Sequence, residues 1–158
     1  MRRGRIIMIN HKGVTLIELI VVMVIIAIGA VLLVPSIGAW LPNYRLRSGT
    51  RDVVSTLRFA QMKAVSTNMP YGVAFDANSC QLYRSSGGLI PEGSAVNLPS
   101  GVQFNNNTFP VDGTLLKHFA QFDPNSSMPS GGIITLQNPK GTEKQITFSP
   151  STGKVSVN

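Results

Sequence analysis

The run HKGVTLIELIVVMVIIAIGAVLLVP, from His11 to Pro35, constrains this chain more than any other feature. From Val14 to Val34 it carries one ionisable residue, Glu18, in an otherwise apolar stretch. About twenty residues at a rise of 1.5 Å make a helix of roughly 30 Å, the thickness of a bilayer hydrocarbon core. A carboxylate one turn inside such a helix costs about 2.5–3.5 kcal/mol on insertion scales, and less near the interface. Glu18 therefore either snorkels toward the headgroups or has a task.

The flanking residues decide what that task is. Arg2, Arg3, Arg5 and Lys12 make a short basic leader that ends at Gly13, followed by Val14-Thr15-Leu16-Ile17-Glu18 and the apolar run. This arrangement resembles the signal of type IV prepilins and type II secretion pseudopilins. The resemblance implies that a prepilin peptidase cuts between Gly13 and Val14 and methylates the new amino terminus on Val14. It makes Thr15 and Glu18 the assembly residues, with Glu18 pairing with an N-terminal amine when subunits enter a filament. Opposite charges interact far more strongly in a low-dielectric helix bundle than in water, and each relieves the other's desolvation. Within one helix Val14 and Glu18 are also spaced i, i+4, so pairing inside a subunit and between subunits both satisfy the sequence. The family most often has phenylalanine after the cut, where this chain has Val14.

A conventional secretory signal would have a shorter apolar region, no internal acid and a small-x-small cleavage site. Ala27-Ile28-Gly29 is a poor site of that kind, and the apolar run continues beyond it through Leu33. The basic residues before the span are nearer and denser than Arg45, Arg47 and Arg51 after it, which favours a cytoplasmic N-terminus.

The formal charge of +7 is partly a property of the leader, because four of the 14 Lys and Arg residues precede Val14 and their removal leaves about +3. So weak a surplus does not by itself argue nucleic-acid binding. After the anchor the remaining length suits one globular domain. The single cysteine, Cys80, has no intrachain partner, and reads as a small packed thiol.

Past Val34 the helix continues, with Pro35 and Pro42 each removing a backbone donor and bending or loosening it. Leu46, Thr50, Val53, Leu57, Ala60 and Ala64 alternate steps of four and three, the stripe of a helix packed on one side. Arg47, Arg51 and Arg58 cluster about 120° around from it. The helix should end near Asn68, before Pro70. Strands are expected at Tyr71–Phe75 and Gln81–Arg84 around the turn Asp76-Ala77-Asn78-Ser79, whose single acid supplies too few ligands for calcium. Residues 85–101, rich in glycine, serine and proline, read as a long variable loop. Val102–Phe104 and Thr114–Phe122 are further strand candidates around a connection over 105–113, and a polar loop covers 123–131. A meander closes the chain: Gly132–Leu136, Gln145–Ser149 and Lys154–Val157, joined by turns at 138–141 and 150–153.

The stretch RLRSGTRDVVSTLRFAQMKAVSTNMPYGVAFD, the later GGIITLQN and the terminal ITFSPSTGKVSV are similar to the GspH/FimT group of minor pseudopilins and minor type IV pilins. Gly153-Lys154-Val155 stands where relatives commonly have Gly-Arg-Val. The expected fold is α+β and pilin-like, with a long N-terminal helix, half membrane-spanning and half amphipathic, packed on antiparallel β-sheet. The expected organisation is a leader over 1–13, a transmembrane and assembly helix over 14–34, its amphipathic continuation over 35–68 and a periplasmic β-rich part over 69–158.

Enzymatic chemistry finds no footing. His11 lies in the leader and His118 sits alone in a strand candidate, so there is no histidine pair for a metal and no nucleophile with a base. No cofactor is expected. The expected function is a structural minor subunit of a type II secretion pseudopilus or type IV pilus, anchored once in the inner membrane with its C-terminal domain in the periplasm and then carried into the filament. Its partners would be other pilins or pseudopilins of that filament, the prepilin peptidase, the inner-membrane assembly platform and the lipid bilayer. The alternative is a DNA-binding minor pilin for natural transformation, contacting DNA through Lys154 with Arg47, Arg51 and Arg58. A single-pass periplasmic binding protein that never assembles would retain its leader.

Overall fold

The structure, a computed structural model, describes residues 13–150 and 154–158; the side chains at 32–37 and 39 are outside that description. The expected leader up to Lys12, with His11, and the turn residues 151–153, with Gly153, therefore lie outside the described residues.

A single helix of 52 residues, α1 (Leu16–Thr67), runs through the positions of both Pro35 and Pro42. The chain divides into two compact units, Met1–Gly38 and Ala39–Asn158. Within the second unit the stripe anticipated from the 3.6-residue period is the buried face: Val53, Leu57, Ala60 and Ala64 are fully buried, and Leu46 and Thr50 nearly so. Thr50 is tolerated there because its hydroxyl donates to the Leu46 carbonyl at 2.7 Å. The helix stops where Asn68 takes a left-handed φ of 52°, a conformation that asparagine adopts more readily than most residues.

Two antiparallel sheets follow. The first orders β3 (Leu89–Pro91), β2 (Ser79–Ser85), β1 (Tyr71–Phe75) and β6 (His118–Phe122), with β4 (Val96–Asn97) pairing β2 beyond the end of β3. The second orders β5 (Gln103–Asn107), β7 (Gly132–Gln137), β8 (Glu143–Phe148) and β9 (Val155–Val157). The expected meander is β7, β8 and β9, in a register that sets Ile134 opposite Ile146 and Val157 opposite Ile146 on its other side. Their inward residues join the helix stripe in one core with Val73, Phe75, Ala120 and Phe122 of the first sheet. Aromatic rings tie the sheets together: Phe109, on the connection after β5, stacks on Phe75 at 6.1 Å and tilts against Phe148 at 6.0 Å.

Three expectations need correction. The segment 85–101 is not an open loop, because β3 and β4 both pair with β2, Gln81 Nε2 donates to the Glu92 and Gly93 carbonyls at 3.1 Å, and Lys63 on α1 holds Glu92 at 3.0 Å. The strand expected over Thr114–Phe122 begins only at His118. Asp112 Oδ1 accepts from the Thr114 and Leu115 amides at 2.8 and 2.9 Å, and this Asx-type turn takes the backbone bonds a strand would need. The strand expected over Val102–Phe104 starts at Gln103 and continues to Asn107 through an irregularity between Phe104 and Asn106.

β1 is buried on both faces. Tyr71, Val73 and Phe75 face the core, and the opposite face at Gly72 is covered by Phe119: a Cβ built there would lie 2.2 Å from Phe119 Cζ and 2.8 Å from the Ala120 carbonyl. Gly72→Ala should therefore destabilise the fold by about 2 kcal/mol, the usual cost of overpacking. Gly88→Ala, with nothing within 4 Å of its Cβ, should be near neutral. Denaturant midpoints of the two variants at unchanged slope check the contrast.

Candidate functional site

Two regions of the chain offer chemistry to a partner. The first is the start of α1. Val14 and the apolar side chains from Leu16 to Ile28 and at Val31 are exposed on every face of the helix, Ile17 to 66% and Val31 to 73%. A helix apolar all round is stable only when something else covers it. Among the described residues no helix is long and apolar enough to cross a membrane; side-chain description of the apolar run stops at Val31, and the sequence carries the run to Val34.

Glu18 lies in the first turn of that helix. The Glu18 amide donates to Thr15 Oγ1 at 3.3 Å, and the Leu19 amide to the Thr15 carbonyl at 3.2 Å. Thr15 is thus the N-cap and Glu18 the third helical residue, the T-x-x-E spacing of a capping box. Sequence reasoning weighed Glu18 as an acid in an apolar helix and as the partner of an N-terminal amine; the threonine three residues before it was the signal for this further, capping role. Gly13 and Val14 precede the helix as exposed, non-helical backbone.

The second region is a groove of 610 Å³ between α1 and the end of the second sheet, lined by Arg47, Thr50, Arg51, Val54, Ser55 and Arg58 of the helix and by Lys144 and Val157 of β8 and β9. The arginines singled out from helical spacing do come together here. They are joined by Lys144, which the sequence reading missed although Ile146 and Phe148, two and four residues on, put it on the same strand face. Lys154, the other proposed contact, stands exposed just before β9 and does not line this groove. Arg45 turns elsewhere, its guanidinium donating to the Ser100 carbonyl at 3.3 Å.

The remaining chemistry-bearing groups are structural. Cys80 is buried on β2 beside Thr56, and burial pushes its thiol up to about 11 despite the Thr56 hydrogen bond. His118 is half-buried at the start of β6 and donates from Nδ1 to the Phe109 carbonyl. Among the described residues no group of three His, Cys, Asp or Glu could hold a metal. Lys117 grips Asp76, and this hydrogen bond holds the Asp76 carboxyl below its ordinary value. The pair's contribution to stability is thus fully present above the ordinary carboxylate value and is lost as the pH falls below it, through the lowered value of the folded state. At about pH 8 the Cys80 thiol should react with an aromatic disulfide on the order of a hundredfold more slowly in the native protein than after unfolding, because both thiolate fraction and access are low. Stopped-flow absorbance with and without denaturant reads this directly.

Comparison with known proteins bears on both regions. The prokaryotic N-terminal methylation motif matches residues 8–34, covering the Gly13–Glu18 segment, and the family described as type II transport protein GspH matches residues 49–158. No curated protein sequence matches. Among solved structures, the minor pseudopilin EpsH from the type 2 secretion system of Vibrio cholerae superposes with a TM-score of 0.58 at 9% identity, over 72% of this chain and 96% of that one. The type IV minor pilin FimU of Pseudomonas aeruginosa PAO1 gives 0.58 at 12% identity, over 73% of this chain and 90% of that one, and its second crystal form gives 0.56 at 13% identity, over 72% and 92%. The likeness to these structures establishes the pilin-like fold. With the methylation motif on the apolar helix and the family match spanning the two-sheet unit, the chain belongs to the type II transport protein GspH family, a group of minor pseudopilins and minor pilins rather than of enzymes.

Proposed function

We propose that this chain is a minor structural subunit of a type II secretion pseudopilus or type IV pilus, held in the inner membrane by residues 14–34 and built into the filament through the same helix. The observation that carries this reading is the all-round exposure of the apolar start of α1, with one acid in its first turn. In lipid those side chains are solvated by acyl chains; in a filament they exchange lipid for neighbouring helices. Trp40 and Tyr44 support the anchor, being exposed, stacked at 4.9 Å and placed just after the apolar run, where amphipathic rings suit a membrane interface.

Processing would begin with a prepilin peptidase cutting between Gly13 and Val14 and methylating Val14, after which an inner-membrane assembly platform would feed the subunit into the filament. The amine of a neighbour, or that of Val14 itself, would then neutralise Glu18. EpsH and FimU are matched equally well, so the reading covers both kinds of filament. DNA uptake draws less support, since among the described residues no aromatic side chain lines the groove beside Arg47, Arg51 and Arg58 to stack a base.

Intact-mass measurement of the membrane-extracted protein should show loss of residues 1–13 and one added methyl group, and Gly13→Ala should accumulate as precursor. Full-length protein in a host with an active prepilin peptidase would refute the reading.

Glu18 needs a finer test because its two roles overlap. Glu18→Gln keeps the spacing of the capping box and removes the charge, whereas Glu18→Leu removes both. If charge pairing drives assembly, both variants should insert normally in the membrane yet crosslink poorly to adjacent subunits at equal membrane levels. Crosslinking retained in Glu18→Gln and lost in Glu18→Leu would assign Glu18 to the helix cap alone.

A further inference from the structure

The residues lining the groove between α1 and β9 lie outside the segments to which anchoring and processing are assigned. Arg47, Arg51, Arg58 and Lys144 line it, and among the described residues none of their side chains makes an ion pair or hydrogen bond. Val54 and Val157 give it an apolar component, with Val157 still 46% exposed. Four cations around apolar side chains form a surface complementary to something extended, partly apolar and acidic.

The edge of the sheet supplies the remaining requirement. Gln145 and Asn158 exchange both backbone hydrogen bonds, at 3.1 and 3.0 Å, so they form a hydrogen-bonded pair between β8 and β9. In an antiparallel ladder the pairs alternate. Val157, opposite Ile146, and Val155, opposite Phe148, are therefore the non-hydrogen-bonded positions, and their N–H and C=O groups point away from β8. Nothing in the described sheet pairs with that side, since β9 is its last strand. A free edge of this kind is a template for a further strand.

We propose that this groove receives an extended acidic segment of a partner protein, which adds to β9 as a strand through Val155 and Val157 and sets its carboxylates against Arg47, Arg51, Arg58 and Lys144. A second copy of this chain cannot supply such a segment. Its seven acids are scattered, the closest two, Asp112 and Asp123, being eleven residues apart, and Asp76 and Glu92 are already paired with lysines. A nucleic acid would find phosphate contacts but no stacking platform, and would leave the backbone edge and the valines unused.

The inference does not rest on filament assembly and is tested on unassembled full-length protein in detergent micelles. The probe is a fluorescein-labelled peptide of alternating glutamate and valine, read by anisotropy, with the lysine-valine counterpart and single-stranded and duplex oligonucleotides as competitors. The acidic peptide should bind saturably, more weakly as salt rises, and the basic peptide should not bind. Arg51→Glu should weaken it about tenfold or more, and Arg51→Lys much less. Val157→Pro deletes one outward N–H while leaving the Ser156 and Asn158 bonds to β8, and should weaken it comparably. In the wild type, peptide binding should slow hydrogen exchange at the Val155 and Val157 amides, a readout that needs no variant. Loss of binding in Arg51→Glu with unchanged binding in Val157→Pro and unchanged exchange would reduce the groove to a patch of positive charge and overturn strand addition. Tighter binding of either oligonucleotide than of the peptide would overturn the partner class, and no binding would overturn the proposal outright.

Discussion

The stripe that α1 presents between Leu46 and Ala64 is the contact on which the unit from Ala39 onward depends. Each of the two sheets has one strongly apolar face and too few strands to close on itself, so each needs a common surface to cover it. The helix supplies that surface at a period of 3.6 residues, and its small positions are as important as its large ones. Ala60 and Ala64 are fully buried, and in an interior packed at crystal-like density a longer side chain there has no space to enter. Gly49 acts similarly, since a Cβ at that position would come 3.1 Å from Pro99 Cδ. On the far side of the core the phenylalanines fill what the helix cannot reach, and Gly132 is bare so that the Phe109 ring can lie where its Cβ would be, 2.8 Å away.

The same helix obeys two different rules along its length. After Ala39 it is amphipathic and its stability comes from packing. Before Val31 it is apolar on all sides, and no arrangement of its own residues removes that surface from water. Among the described residues only one segment meets this condition, and it is the segment that carries Glu18 and the Thr15 cap. An acid in the first turn is favoured by the helix dipole and by the cap geometry, which means that local stability already tolerates Glu18 there. What local stability does not supply is a partner for its charge once the segment leaves water.

Much of this architecture was legible because it is periodic. The helix stripe, β1, β2 and the terminal meander each repeat a hydrophobic pattern over enough residues for 3.6 or 2 to be distinguished. The elements that escaped notice are short or governed by side-chain hydrogen bonds. β3 and β4 span only three and two residues and are set in a stretch of glycine, serine and proline, so no alternation could reveal them; β2 imposes their conformation. The false start at Thr114 has the opposite cause, because a plausible β-sequence lost its backbone donors to Asp112. Among the site residues, the arginines were found by helical spacing, and the alternation that puts Lys144 on the face of Ile146 and Phe148 was open to the same kind of reading, while the exposed edge of β9 depends on which strand ends the sheet, a property of topology that no local pattern encodes.

The distribution of charge gives the groove its meaning. Of the ten Lys and Arg residues after Val14, four line this one cleft. Arg47 and Arg51 are like charges spaced i, i+4, an arrangement that costs a helix about 0.2–0.5 kcal/mol. Elsewhere the fold pairs its cations, Lys63 with Glu92 and Lys117 with Asp76, and in both cases the pair pins a connection to the body of the domain. The groove cations pin nothing. Solubility would be served as well by spreading them, and helix stability better by removing one. Their convergence beside the last strand of a sheet, on side chains that the core does not use, is the arrangement expected of a surface that is completed by another chain.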